Sequence, residues 1–203
     1  MRRALALAAL ALALPAPLPG ARADDRYDAL RSRAERLDSL GAFLERYVGG
    51  CRDAFTRADC ERNVATARRA VQGKLLVARV TEGAAEIVRA RTDGSRYRID
   101  VTPFIDGGGI ALTHGAPATR DAAGRPVIGL VVLQGALPPG TGDLEFFSPF
   151  RTGNVEVEVV FEPQGTWRMP RRDGGQYEGV RARFLGLRLV DPRTGAEIAS
   201  RVL

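Results

Sequence analysis

The chain has 203 residues, of which 30 are Lys or Arg and 24 are Asp or Glu, so its formal net charge is +6. Arg2, Arg3 and Arg22 are three of the basic residues, which leaves 27 basic against 24 acidic residues, or +3, for the rest of the chain. The remaining arginines are spread out and mostly alternate with acids. A nucleic-acid-binding protein would instead concentrate its basic residues in a patch with interleaved aromatics. We therefore expect no nucleic-acid partner.

The first 23 residues have the pattern of a cleaved export signal. Arg2 and Arg3 precede an apolar run over residues 4–14, which is too short to span a bilayer. An Ala-x-Ala cleavage site then ends at Ala23. This pattern predicts a signal peptide over residues 1–23 and a periplasmic or extracellular protein. No later run is long and apolar enough to predict an integral membrane segment.

Cys51 and Cys60 are the only two cysteines of the chain. An even number of cysteines in an exported protein favours a disulfide. Closing a loop of about ten residues would contribute roughly 2.5–3 kcal/mol by loop entropy. The alternative is a metal site, which needs more ligands than these two cysteines and the single histidine, His114, supply. We expect the disulfide, and no metal or cofactor.

Two helices are predicted before residue 75. Apolar residues recur at helical spacing over residues 25–48, and two glycines end the run. A second helix is predicted over residues 57–72, with an apolar stripe on one face. The stripe consists of Cys60, Val64, Ala67 and Val71. The two helices would form a disulfide-stapled αα-hairpin over residues 24–74, packed on the main domain. Such a stripe could alternatively bind a partner or a membrane.

From residue 75 onward the pattern changes to strands separated by Gly and Pro turns, which predicts an antiparallel β domain over residues 75–203. Its central pair lies within residues 153–190, where apolar and charged residues alternate. The apolar parity of the second strand changes near residues 184–186, which predicts a β-bulge or a strand buried on both faces. Further strands are predicted at 75–81, 85–91, 97–101, 110–113, 127–133, 144–147 and 196–203.

These elements predict a mainly β protein with helices, of the α+β class. The preferred architecture is an antiparallel β-sandwich preceded by the αα-hairpin. A β-barrel is the alternative, which the irregular loop lengths disfavour.

The most unusual local run is Asp106 followed by three glycines. Glycines let the backbone approach a ligand, so this run could be the lip of a site with Asp106 as acid, base or ligand, near His114. The alternative is a tight turn between strands. No nucleophile elbow or metal-ligand spacing accompanies these residues, so the sequence favours a non-enzymatic protein.

A second candidate lies in the predicted loop over residues 165–179. Trp167, Arg172 and Tyr177 are of residue types enriched at interaction surfaces, and the same set could bind a sugar or an anionic head group. The alternative is that Trp167 fills an edge of the core and the arginines are solvated.

Four segments of the chain carry a family resemblance: DDRYDALRSRAERL (24–37), FLERYVGGC (43–51), TPFIDGGGIALTHGAP (102–117) and GVRARFLGLRLVDPRTG (179–195). Together they resemble uncharacterised secreted proteins of GC-rich Gram-negative bacteria such as myxobacteria. Such families are domains of unknown function, so the resemblance implies export and a single domain but no activity and no site.

Two hypotheses about function remain open at this point. The first is an exported, non-enzymatic envelope or secreted protein that binds a macromolecular partner, such as an envelope protein or glycan. The second is a small-ligand binder, for a lipid or glycan, or a hydrolase, with its site near Asp106 and His114.

Overall fold

The structure, a computed structural model, describes residues 23–51, 55–81, 85–105, 109–127, 129–151 and 155–203. The predicted signal region up to residue 22 and Asp106 lie outside these ranges. In chain order the described helices are α1 (Ala23–Arg31), α2 (Leu40–Val48), α3 (Arg57–Val71), α4 (Asp143–Phe146) and α5 (Ser148–Arg151). The described strands are β1 (Glu35–Arg36), β2 (Leu76–Thr81), β3 (Ala85–Asp93), β4 (Arg96–Ile105), β5 (Ile110–His114), β6 (Thr119–Arg120), β7 (Pro126–Val127), β8 (Val131–Ala136), β9 (Glu156–Pro170), β10 (Gln176–Val190) and β11 (Glu197–Val202).

Nine of the described strands form one mixed sheet, which curls into a half-barrel. Its main order is β1-β2-β9-β10-β5-β4-β3; β11 also pairs with β10, and β8 with β4. Most neighbours are antiparallel, but the pairs β1–β2 and β5–β10 are parallel. Strands β6 and β7 form a separate two-stranded hairpin.

The coarse prediction of a mainly β, α+β protein agrees with this architecture. The finer prediction of an antiparallel sheet is corrected, because two of the pairings are parallel. Neither the sandwich nor a closed barrel is confirmed, since hydrogen bonds join nine described strands into one curled, open sheet.

The long ribbon of β9 and β10, each of 15 residues, forms the centre of the sheet. On β9, Val157, Val159 and Phe161 are fully buried on the face that the alternation predicted. The predicted bulge is confirmed, because the register between the two strands shifts between Phe184 and Gly186. This shift lets the apolar residues on both sides of the bulge reach the same buried face.

The helical region differs from its prediction, because the helix expected over residues 25–48 is divided in two. Helix α1 ends at Arg31, and backbone hydrogen bonds of 2.8 and 2.9 Å then join Glu35 to Leu75 and Leu37 to Val77. Helix α2 begins after Ser39, whose Oγ accepts a hydrogen bond of 3.2 Å from the Ala42 N–H. The αα-hairpin of the prediction is therefore not confirmed.

Helices α1 and α2 cover opposite faces of the curled sheet. Five residues of α2 are buried in the main core, together with side chains of β2, β9 and β10; these five are Leu40, Phe43, Leu44, Tyr47 and Val48. The ring centroid of Phe43 lies 5.8 Å from that of Phe161. On the other face, Tyr27 of α1 packs with Val77 and Val160 in a smaller cluster.

Two predicted strands are corrected. The apolar run at 127–133 is divided between β7 and β8, and the run at 144–147 overlaps helix α4. In α4 the Phe146 ring packs on Tyr97 and Phe147, with centroids 4.9 and 5.0 Å apart. This aromatic packing fixes the segment as a helical turn on the core.

Candidate functional site

Helix α3 lies on the surface without a single buried residue. The apolar stripe predicted for this helix is half-buried at Cys60, Val64, Ala67 and Val71. These side chains are small or medium-sized, so the stripe removes little apolar area from water. Helix α3 is therefore held by specific contacts rather than by a core of its own.

Three contacts tether α3 to α2. The predicted disulfide between Cys51 and Cys60 is present, with the two Cα atoms 5.6 Å apart. The Arg68 guanidinium donates hydrogen bonds to the carbonyls of Tyr47 at 2.8 Å and Val48 at 3.3 Å. A cation at the last carbonyls of a helix is favourable, because the helix dipole is negative there. The third contact is between Gly49 and the Val64 side chain.

A cavity of about 350 Å³ lies between residues 35–47, which include most of α2, and residues 67–74 at the end of α3. We call it the interhelical cavity. Its floor is mostly apolar and includes Leu37, Phe43, Tyr47, Ala67, Ala70 and Val71. The volume is at the lower end of the range for small-molecule sites, which is about 300–1,000 Å³.

The mouth of the interhelical cavity carries an excess of one positive charge. Its charged side chains are Glu35, Arg36, Asp38, Arg46 and Lys74. Glu35 is paired with Lys74 at 2.9 Å. In the described ranges no carboxylate lies within 4.0 Å of the Arg36 or Arg46 guanidinium. The first turn of α2, next to this mouth, contains no acidic residue, so the positive end of its dipole adds to the excess.

A second cavity, of about 400 Å³, lies at the other end of the α2–α3 contact. We call it the disulfide cavity, because Cys51 is part of its wall. Its other lining residues include Val48, Glu61, Val64, Ala65 and Arg68, with Arg168 from the sheet. The Arg68 guanidinium lies 5.5 Å from the centre of the Tyr47 ring. Since Tyr47 lines one cavity and Arg68 the other, this stacked pair stands between them.

Of the first predicted site, the structure describes only His114. Asp106 lies outside the described residues, so the structure does not show whether the two approach each other. His114 is exposed at the end of β5, and its Nδ1 accepts a hydrogen bond of 3.0 Å from the Phe184 N–H. Its ring also packs on Phe184, with centroids 5.5 Å apart.

The second predicted site is placed along the β9–β10 ribbon and its turn. Trp167 is only 8% exposed, and its Nε1 donates a hydrogen bond of 3.0 Å to Thr113 Oγ1. Tyr177 is half-buried beneath the Arg171 guanidinium, 5.2 Å from its ring centre. Arg172 donates a hydrogen bond of 2.9 Å to the Ala122 carbonyl, in the turn between β6 and β7. In the single chain these side chains all make contacts with the fold itself.

The outer face of the sheet holds a buried charge cluster beneath α1. Glu158 is only 1% exposed. Its carboxylate contacts Arg79 at 2.6 Å, Arg188 at 2.8 Å and Arg31 at 3.0 Å. Glu158 and Arg188 face each other across the β9–β10 ladder. The Tyr27 ring covers Arg188, 4.8 Å from its guanidinium carbon.

Burial by itself would raise the pKa of Glu158, but the hydrogen bond from Arg79 and the charges of Arg188 and Arg31 outweigh it and hold that pKa below its usual range. Burial and the negative charge of Glu158 raise the pKa of Tyr27, whose hydroxyl donates to the Glu158 carbonyl at 3.2 Å. Glu158 is therefore charged and fully engaged, and we assign the cluster to the anchoring of α1.

The fold and the cavities define an α+β half-barrel protein with a disulfide-tethered surface helix. The family model described as "Family of unknown function (DUF6066)" matches residues 1–201, so the chain belongs to this family. No curated protein and no solved structure matches the chain. The family assigns no function, as the resemblance in sequence implied.

The described residues contain neither a metal-ligand cluster nor a membrane-spanning helix. They contain no group of three or more His, Cys, Asp or Glu side chains that could hold a metal ion. In the same part of the chain, no helix is long and apolar enough to cross a membrane.

Sequence reasoning missed the interhelical cavity, because its walls come from segments that only the fold brings together. The narrow apolar stripe of α3 was the one feature of the sequence that pointed to this region. Binding of a partner or a membrane was the alternative to packing of this stripe. Cys, Val and Ala side chains are too short for α3 to pack closely against the larger side chains opposite. A space therefore remains between α3 and those side chains.

We expect Gly49→Ala to destabilise the protein by about 1–3 kcal/mol through overpacking. A Cβ atom at position 49 would clash with the Val64 side chain. The backbone φ of +70° at Gly49 also disfavours any residue that has a side chain. Chemical denaturation measures the loss. Gly73→Ala (φ +71°, open space) isolates the backbone cost, and Gly50→Ala (open space) should have little effect. Equal losses at positions 49 and 73 would contradict the close contact of α2 and α3.

Proposed function

We propose that the protein is an exported, non-enzymatic binding protein that holds an amphipathic anion in the interhelical cavity. The ligand class is an unbranched alkyl or acyl chain with a carboxylate or phosphate head. The observation that supports this best is the apolar cavity of about 350 Å³ with an excess of positive charge at its mouth.

The floor of the cavity favours an apolar chain. Phe43 and Tyr47 present aromatic surface from α2, and Ala67 and Val71 present small apolar side chains from α3. Each buried methylene of a ligand would contribute about 0.8 kcal/mol. Because Phe43 and Tyr47 are also part of the main core, this wall is rigid, whereas the α3 wall has no buried residue.

The mouth favours an anionic head over a cationic one. Arg36 and Arg46 have no carboxylate partner in the described part of the chain, and Asp38 is the one acid at the mouth that lacks a basic partner there. An anion at the mouth would gain from both guanidinium groups and from the start of α2.

Export and domain organisation belong to the same proposal. We propose a signal peptide over residues 1–23 and a periplasmic or extracellular location. The Cys51–Cys60 disulfide supports this, because such bonds persist in oxidising compartments. We also propose that residues 24–74 form a disulfide-stapled helical unit on a β domain of residues 75–203.

The other hypotheses have less support from the described residues. A macromolecular partner bound through Trp167, Arg172 and Tyr177 would have to use side chains that already contact the fold, and Trp167 is buried. A small-ligand or hydrolytic site at Asp106 and His114 has one described member, and its Nδ1 is occupied by a backbone N–H. The interhelical cavity is already an open space between its lining side chains.

A thermal-shift panel on residues 24–203 with the disulfide intact tests the proposal. The probes are an alkyl carboxylate, an alkyl phosphate, an alkyl alcohol and an alkyl ammonium of equal chain length, each below its micelle concentration. At a hundredfold excess over Kd, binding to the native state adds about 2.7 kcal/mol. We expect the two anions to raise Tm most, the alcohol less, and the ammonium least.

Equal shifts with all four head groups would contradict the anionic preference. No shift with any chain would contradict the proposed function and would favour the macromolecular partner. The carboxylate and phosphate arms distinguish a fatty acid from a phospholipid as the source of the head group.

A further inference from the structure

Resting on the proposed function, we infer that Arg68 determines the length of the chain that the interhelical cavity accepts. The geometry points to its guanidinium as the partition at the inner end of the cavity. Arg68 does not line the interhelical cavity itself; it lies behind the Tyr47 ring, which does, so it would act on the end of the chain as a positioning residue.

The position of Arg68 supports this role. The interhelical cavity reaches from its charged mouth to Tyr47 and Ala67. Val48 and Arg68, which directly follow Tyr47 and Ala67 in the chain, are in the wall of the disulfide cavity. The Arg68 guanidinium stacks over the Tyr47 ring at 5.5 Å, so it lies at the boundary of the two spaces.

Arg68 is also held firmly in this position. Its Nε donates to the Tyr47 carbonyl at 2.8 Å and its Nη2 to the Val48 carbonyl at 3.3 Å. Both acceptors are at the C-terminal end of α2, where a cation is favourable. A chain that enters from the mouth would therefore meet the Tyr47 ring, backed by a guanidinium that is held in place.

Space for a longer chain exists beyond the partition. The disulfide cavity has about 400 Å³; Val48, Val64, Ala65 and the Cys51 sulfur form the apolar part of its wall, and Glu61 and Arg168 lie beside them. Truncation of Arg68 would connect the two cavities along α3. The affinity for longer chains should then rise, by at most about fourfold for each further methylene that is buried against the apolar part of this wall.

The experiment measures Kd for a series of saturated fatty acids of increasing length. For the wild type, affinity should increase with length and then stop increasing at a limit. For Arg68→Ala the limit should move to longer chains. Arg68→Met keeps a long side chain at the partition and should keep the wild-type limit. Arg69→Ala should keep it too, since Arg69 is exposed and, within the described ranges, donates only to Ala65 of its own helix.

The double variant Arg68→Ala/Ala65→Trp adds a direct control. A Trp at position 65 would fill the disulfide cavity and should restore the wild-type limit. If Arg68→Ala does not fold, Arg68→Val makes the same test with a smaller loss of volume.

The outcomes separate this inference from the proposed function. Fatty acids that bind with the same length limit in wild type and Arg68→Ala would overturn the inference alone. A length limit that moves equally in Arg69→Ala would also overturn it. If no fatty acid binds the wild type, both fall together.

Discussion

Glu158→Gln is expected to destabilise the protein by about 3–5 kcal/mol, because it leaves three arginines around a neutral, buried amide. Arg31, Arg79 and Arg188 all contact the Glu158 carboxylate, and helix α1 covers the cluster. Urea denaturation measures the loss. The matched control is Glu162→Gln on the same strand, whose partner Arg183 is exposed, so its loss should stay within about 1 kcal/mol.

The contribution of Glu158 should also depend on pH. Because its pKa is lowered in the folded state, its contribution is complete above the unfolded pKa of about 4.3 and is lost as the pH falls through the lower, folded pKa. The difference in stability between wild type and Glu158→Gln should therefore shrink below about pH 4. A difference that stays constant to lower pH, or is absent at neutral pH, would contradict the buried cluster.

Phe161→Ala is expected to cost about 3–5 kcal/mol, which lowers Tm by about 6–20 °C in a domain of this size. Phe161 is fully buried on β9, pairs with both Leu76 and Phe184, and supports the ring of Phe43 on α2. Its removal would leave a cavity beneath the wall that forms the candidate site. Differential scanning calorimetry measures the shift.

The control for Phe161→Ala is Leu144→Ala, because Leu144 is 68% exposed. Its effect should lie within about 0.5 kcal/mol. Similar shifts for the two variants would mean that β9 and α2 do not share the core that we describe.

The strands of the sheet were largely predictable where apolar and charged residues alternate along the chain. On β9 the alternation of Val and Glu identifies the buried face, and on β10 the change of parity identifies the bulge. Strand order was not predictable, since the parallel contact of β5 with β10 joins segments some 65 residues apart. A local pattern contains no information about such a pairing.

The division of the first predicted helix has a similar cause. Residues 25–48 keep helical spacing, but Glu35 and Leu37 donate backbone hydrogen bonds to Leu75 and Val77, and this segment pairs with β2 instead of continuing the helix. Ser39 then restarts the helix as its cap. Only the cap was readable locally, because the competing partner lies some 40 residues away.

The candidate site was less predictable than the fold. Trp167, Arg172 and Tyr177 were chosen by residue type, and the structure shows each in contact with its own chain. The interhelical cavity instead exists because the side chains on the inner face of α3 are small. Small side chains leave a cavity only where a second element lies opposite them. The sequence alone does not show which element that is.

The weak seating of α3 links the fold to the proposed function. A helix with few buried contacts opens at a lower free energy than the core. The disulfide limits this opening, because it keeps the start of α3 beside the end of α2. A ligand could then enter by a small movement of α3 while α2 and the sheet stay in place.

The most direct measurement is a calorimetric titration of a fatty acid into wild type, Ala67→Phe and Ala58→Phe. Ala67 lines the interhelical cavity, whereas Ala58 is exposed near the start of the same helix and lines neither cavity. We predict one site in the wild type with a negative heat-capacity change, loss of binding in Ala67→Phe and unchanged binding in Ala58→Phe. Equal affinity in the wild type and a folded Ala67→Phe would contradict the account.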